Sequence, residues 1–216
     1  MRGEVARDLT ASAAVFEQYI RPELLRGSIL GEYRFYDVQS VEGDKTDMIK
    51  NAIDGVAGID YFGMDSRRGV VGIASRNQID MGFRTFTARI FRGDGSHDVE
   101  LMKTLRHIQS GALCPQITLQ SYMPKDDRGL ITLGITKTRL LYEWIEQNLW
   151  HNFFTSDNWR GFASAIKNSC GACLGKMRIR KVGNSPEWFA AVDWQTLERD
   201  GVHVEIRRIV LDPLPF

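Results

Sequence analysis

The chain has 216 residues, enough for one large domain or a domain with an appended subdomain. A content of 43% hydrophobic and 25% charged residues is that of a globular chain able to bury a core without disulfide or metal staples. A net charge of +1 provides no global pull towards polyanions, so any contact with nucleic acid has to come from a local basic patch.

Three cysteines, Cys114, Cys170 and Cys173, are an odd number and do not make a secreted disulfide framework. Residues 1–19 carry acids and lack a long apolar run, so they read as neither signal peptide nor anchor. No stretch has 18 uninterrupted apolar residues, and the expectation is a cytoplasmic protein outside the membrane.

In chain order, residues 9–25 carry a loose helical spacing over Ala14, Phe16, Tyr19 and Leu24, with Pro22 expected to kink or end the helix. Residues 31–39, "GEYRFYDVQ", alternate as a strand. Residues 43–58 have Met48, Ile49, Ala52, Ile53 and Val56 at helical spacing, Asp44, Thr46 or Asp47 for the N-terminus and Gly58 for the end. Three strands are then expected at 59–65, 69–78 and 83–91, the first two joined by a hairpin turn over Ser66–Gly69. A helix over 97–112 ends at Gly111, strands follow at 115–123 and 129–136, and 136–154 is an amphipathic helix with Leu140, Leu141, Trp144, Ile145 and Leu149 on one side. The tail from Asn158 mixes one helix-like and two strand-like pieces. With no repeat and no low-complexity linker, the expectation is one α/β (α+β) domain: a core with its N-terminal helix over 1–156 and an extension over 157–216 packed on it.

The chemistry concentrates in "GIDYFGMDSRRGVVGIASRNQ", 58–78. Along a strand, Ile73, Ser75 and Asn77 face one way, and Ala74, Arg76 and Gln78 the other. An Arg and a Gln on one face of an apolar strand are costly to bury alone, and Asp60 on the preceding strand is the natural partner for Arg76. On chemistry alone this pair can equally be a structural ion pair closing a sheet.

An acid-bearing helix, "GID" on a strand, a hairpin to an apolar strand with a basic residue, then a helix: this order resembles the restriction-endonuclease-like PD-(D/E)xK nuclease superfamily over about residues 43–122. The resemblance implies a central mixed sheet flanked by helices, with Asp60 in the metal-binding position and "IASR" (73–76) where the family carries an acid or glutamine and a lysine. Two departures stand out. Ala74 cannot bind metal, and Arg76 keeps a positive charge for a phosphate but stays protonated and cannot act as a base. A second carboxylate then has to come from elsewhere, with Asp47 preferred over Asp54, Glu17 or Asp80.

The implied activity is hydrolysis of phosphodiester bonds, of DNA in preference to RNA, with Mg²⁺ or Mn²⁺ at Asp60 and Asp47 and with Arg76 and Gln78 on the scissile phosphate. Arg67, Arg68 and Arg84, near the site, and Arg178, Arg180 and Lys181, in the acid-free segment 159–181, are the expected nucleic-acid contacts. Some members of the superfamily serve bacterial antiviral defence, which implies a partner protein that recruits or activates the enzyme. The alternative is a catalytically inactive subunit of the same fold that binds nucleic acid or a partner. A plain interaction protein, using the aromatic residues of its last sixty positions, is the third reading.

"CGAC" at 170–173 is a lone C-x-x-C; a zinc site needs two more ligands, for which Cys114 or a His are the candidates. The four histidines show no ligand spacing, and no nucleophile-elbow, P-loop or dinucleotide motif occurs.

Overall fold

A computed structural model of the chain describes residues 16–25, 34–37, 57–65, 69–79, 83–92, 100–124, 129–153, 173–174, 176–181 and 187–211. A π-helical turn, Phe16–Ile20, passes into α1 (Arg21–Leu25). Then follow β1 (Arg34–Asp37), β2 (Tyr61–Asp65), β3 (Gly69–Ile79), β4 (Thr85–Arg92), α2 (Glu100–Ser110), β5 (Ile117–Met123), β6 (Gly129–Lys137) and α3 (Thr138–Phe153). The last elements are β7 (Cys173–Leu174), β8 (Met177–Lys181), β9 (Glu187–Asp193), α4 (Trp194–Arg199) and β10 (Glu205–Leu211). The fold is α+β, with one mixed and one antiparallel sheet.

The widened first turn has a local cause. Pro22 supplies no N–H and crowds the carbonyl four residues before it, so regular α-helical bonding resumes only from Arg21. Of the helix expected over 43–58, only the end lies within the described residues, where Gly58 takes the left-handed φ of +71° expected of a helix stop. Gly111 does the same after α2, at φ +68°.

The chain forms two compact units, 1–84 with 115–135 and 205–216, and 85–114 with 136–204. The expected division into 1–156 and 157–216 cuts across both. Strand 85–92 forms as expected and joins the sheet of the second unit. Its alternation was legible, since Phe86, Ala88 and Ile90 are buried and Thr85, Thr87 and Arg89 less so. A period of two says only that a strand has one buried face, never which sheet it joins.

The sheet of the first unit runs β1-β2-β3-β5-β6-β10. β1–β2, β2–β3 and β6–β10 pair antiparallel, whereas β3 and β5 are parallel. A parallel neighbour needs a long crossover, and the chain spends 80–116 on it. One face of this sheet carries Tyr61, Val71, Ile73, Ile117, Leu119, Leu133 and Ile135, closed over by Phe16 and Ile20; Phe16 stacks on Tyr61 with ring centres 3.6 Å apart and planes within 10°. A second cluster, Ala57 and Ile59 with Phe62 against it, lies at the entry to β2.

The second unit has a sheet of order β4-β9-β8-β7, antiparallel throughout. Phe86, Ala88, Ile90, Met177, Ile179, Trp188, Ala190 and Val192 are its buried row, and the fully buried Trp194 lies tilted on Phe86 at 5.7 Å. α3 buries Leu141, Trp144, Ile145 and Leu149 as its spacing predicts, while Leu140 stays exposed. Tyr142 on α3 donates its hydroxyl proton to the Glu100 carboxylate at the start of α2. Asp193 caps α4, accepting from the backbone N–H groups of Gln195 and Thr196 at 3.0 and 3.2 Å. Among the described residues no helix is long and apolar enough to cross a membrane.

Asp200 fastens three parts of this unit. Its carboxylate accepts from Lys176 Nζ at 2.6 and 2.8 Å and from Trp144 Nε1 at 2.9 Å. The Lys176 hydrogen bond, aided by Trp144 and opposed by burial, holds its carboxyl below the ordinary carboxylate range. A depressed pKa contributes stability that is full above the unfolded-state value and is lost as pH falls through the folded one. Urea midpoints of wild type and Asp200→Asn are therefore expected to differ near neutrality and to converge as pH falls through and below the ordinary carboxylate range; a constant gap would contradict this.

Candidate active site

Pairing of β2 with β3 ends at Tyr61 opposite Ile73, yet β3 runs on to Ile79 alongside β5. Along β3, alternate residues aim their backbone groups at alternate neighbours. Asp60 N–H still reaches Ile73 O at 2.9 Å. The next group on that side, the Ser75 N–H, has lost β2, and the Asp60 carboxylate takes the strand's place by accepting from it at 2.6 Å. Asp60, just before β2, thus closes the edge of β3 at Ser75, the residue preceding Arg76.

The opposite side of β3 is fixed just upstream. Gln116 N–H donates to Gly72 O at 2.8 Å, and Gly72 N–H donates back to the Gln116 side-chain oxygen. A Cβ at Gly72 would lie 2.9 Å from Ile59 Cδ1 and 3.2 Å from Gln116 Oε1, so one of these side chains would have to shift to admit it.

Register then aligns two faces. Ser75 and Asn77 share the side of Ile73, and Ser121 Oγ donates to Asn77 Oδ1. On the other face Ala74 pairs with Thr118, Arg76 with Gln120 and Gln78 with Tyr122. Thr118, Gln120 and Tyr122 are buried, Arg76 is partly buried and Gln78 exposed. Phe83 meets the Tyr122 ring edge-on at 6.3 Å. Gln120, a fully buried amide beside Arg76, was missed by sequence reasoning. The signal existed: Thr118, Gln120 and Tyr122 alternate with Ile117 and Leu119, so a polar face was legible, but not that it lies against Arg76.

The other expected residues separate into groups. Arg84 is exposed and belongs to the unit that holds Asp60. Arg178, Arg180 and Lys181 lie on β8 of the second unit, with Arg178 exposed and Arg180 partly buried. Glu17, an alternative ligand, forms an exposed ion pair with Arg21 at 2.6 Å. Asp47, Asp54, Asp80, Arg67, Arg68 and Cys170 lie outside the described residues. Cys173 is on β7, paired with Arg178, and burial raises the Cys114 thiol pKa, which works against a reactive thiolate.

Asp60 offers the hard oxygen donor that Mg²⁺ or Mn²⁺ prefers, and one or two carboxylates with substrate phosphate suffice for such an ion. Among the described residues no group of three or more His, Cys, Asp or Glu could hold a metal ion. Comparison with protein-family models, curated proteins and solved structures gave no match for this chain.

The double duty of Asp60 can be separated by substitution. Asp60→Ala strands the Ser75 N–H and is expected to cost about 1–3 kcal/mol in urea unfolding. Asp60→Asn keeps an acceptor and is expected to cost at most about 1 kcal/mol. Equal costs would show that the bond to Ser75 does not carry the effect.

Proposed function

We propose that this chain is a metal-dependent nuclease of the restriction-endonuclease-like type, hydrolysing phosphodiester bonds of DNA. The observation that carries the reading is the position of Asp60 and Arg76 at the point where β2 leaves β3. Asp60 with Asp47 would hold Mg²⁺ or Mn²⁺. Such an ion, when bound, supplies a Lewis acid for the phosphate and lowers the pKa of a bound water.

The remaining work falls to the chain itself. Arg76, held beside Gln120, neutralises charge that builds on the phosphate oxygens, and as a guanidinium it neither takes nor gives the proton. Gln78, at the exposed end of the row, orients the phosphate or the attacking water. Arg67, Arg68 and Arg84 hold the flanking backbone. The enzyme would act in the cytoplasm, with a partner protein recruiting or activating it in a defence system.

Two observations favour a second reading, a non-cleaving subunit of the same fold. Ala74 stands where a second metal ligand is needed, and the Asp60 carboxylate already serves the backbone of β3. Plasmid and labelled oligonucleotides incubated with the purified chain in Mg²⁺, Mn²⁺ or EDTA separate the two. The nuclease reading expects cutting in either metal, none in EDTA, none with Asp60→Asn, and a loss on the order of 10²–10³ with Arg76→Ala. Absence of cutting in all conditions, also with the neighbouring gene's product added, would leave the non-cleaving reading in its place.

A further inference from the structure

On the core face of β3 the side-chain row ends in a polar atom that the fold does not use. Val71 and Ile73 enter the apolar cluster, and Ser75 and Asn77 follow on the same side. Ser121, on the neighbouring strand β5, donates to Asn77 Oδ1, so these two polar groups serve each other. Ser75 Oγ is buried and, among the described residues, has no hydrogen-bond partner. A hydroxyl in that state weakens a fold, and a small apolar side chain would pack there without the penalty. Unsatisfied buried groups of this kind call for a ligand, an ion or a water that completes them.

The place of the hydroxyl gives it a use. The Ser75 N–H is the group that the Asp60 carboxylate holds at 2.6 Å, so little more than the length of one serine side chain separates hydroxyl from carboxylate. Because it accepts from a backbone N–H, that carboxylate lies at the edge of the strand, between the face of Ser75 and the face of Arg76. Asp60 and Ser75 are both partly buried.

We infer that Ser75 is a positioning residue of the metal site at Asp60, its hydroxyl oxygen accepting from a water of the bound Mg²⁺ or Mn²⁺. The inference rests on the nuclease reading and deepens it, since it names an oxygen that serves the ion where Ala74 offers none. An ion held by so few carboxylates keeps several of its waters, and groups that hydrogen-bond to the first shell fix its orientation and strengthen its binding. A serine hydroxyl suits the task because it has acceptor capacity and adds no negative charge against an incoming phosphate.

Ser75→Ala and Ser75→Thr in the full chain separate a metal role from a packing role. Without metal, Ser75→Ala is expected to hold or raise the urea midpoint, because it removes a buried hydroxyl that has no partner. Mn²⁺ titrations, followed by water-proton relaxation with a cleavage-resistant phosphorothioate DNA present, read the ion's affinity without any cleavage. That affinity is expected to fall about 10- to 100-fold in Ser75→Ala and to stay near wild type in Ser75→Thr, which keeps the hydroxyl.

Unchanged Mn²⁺ affinity in Ser75→Ala would overturn the inference. So would a clear drop in its metal-free urea midpoint, which would give the hydroxyl a partner in the fold. Equal losses of affinity in the alanine and threonine variants would trace the effect to packing and overturn it as well. Asp60→Asn, titrated beside them, tells this failure from failure of the nuclease reading. Loss of Mn²⁺ in Asp60→Asn alone leaves that reading standing and this inference fallen; no loss in either variant, or no binding by wild type, removes both.

Discussion

The first unit depends on a change of partners along β3. From Gly69 to Ile73 the strand is held antiparallel by β2, and from Ile73 to Ile79 it is held parallel by β5. Where the two regimes meet, one side of the backbone is left without a strand, and an unpaired N–H inside a sheet is costly. Asp60 resolves this by turning its carboxylate to the Ser75 N–H at 2.6 Å. Upstream, Gln116 holds Gly72 from the β5 side through both its backbone and its side chain. A carboxylate committed to the backbone in this way holds the edge of β3 at the residue preceding Arg76.

That same constraint decides which neighbours the site has. Because β3 and β5 are parallel and in register, Thr118, Gln120 and Tyr122 line up beside Ala74, Arg76 and Gln78. Gln120 is fully buried in register with Arg76, so Arg76 stands in a polar row instead of an apolar one. Ala74 therefore does not leave the row without polar groups. It leaves it without a second acid, and that shortfall is what separates the cleaving reading from the non-cleaving one.

Much of this was legible from residue spacing, and the rest was not for definite reasons. β2, β3, β5, β6, α2 and α3 arise where their periodicities predict them, and Gly58 and Gly111 stop the chain with positive φ as expected of helix ends. Periodicity is a property of one segment, so it could not reveal that β4 belongs with β9, nor that β10 returns to the first sheet beside β6. The hydrogen bond from the Ser75 N–H to Asp60 at 2.6 Å was not foreseen, because backbone donors carry no sequence signal. The basic tail segment showed its charge, but only pairing with β9 brings Arg180 next to Phe189.

A net charge of +1 leaves the proposed DNA substrate to local basic residues. What the proposal needs above all is that the Asp60 carboxylate bind a divalent ion. The most direct measurement is a Mn²⁺ titration followed by electron paramagnetic resonance of the free ion, in the presence of a cleavage-resistant phosphorothioate DNA, for wild type and Asp60→Asn. The account expects the free-ion signal to be depleted by wild type and restored by the substitution. Equal depletion by both proteins would contradict it and leave Asp60 with its backbone role alone.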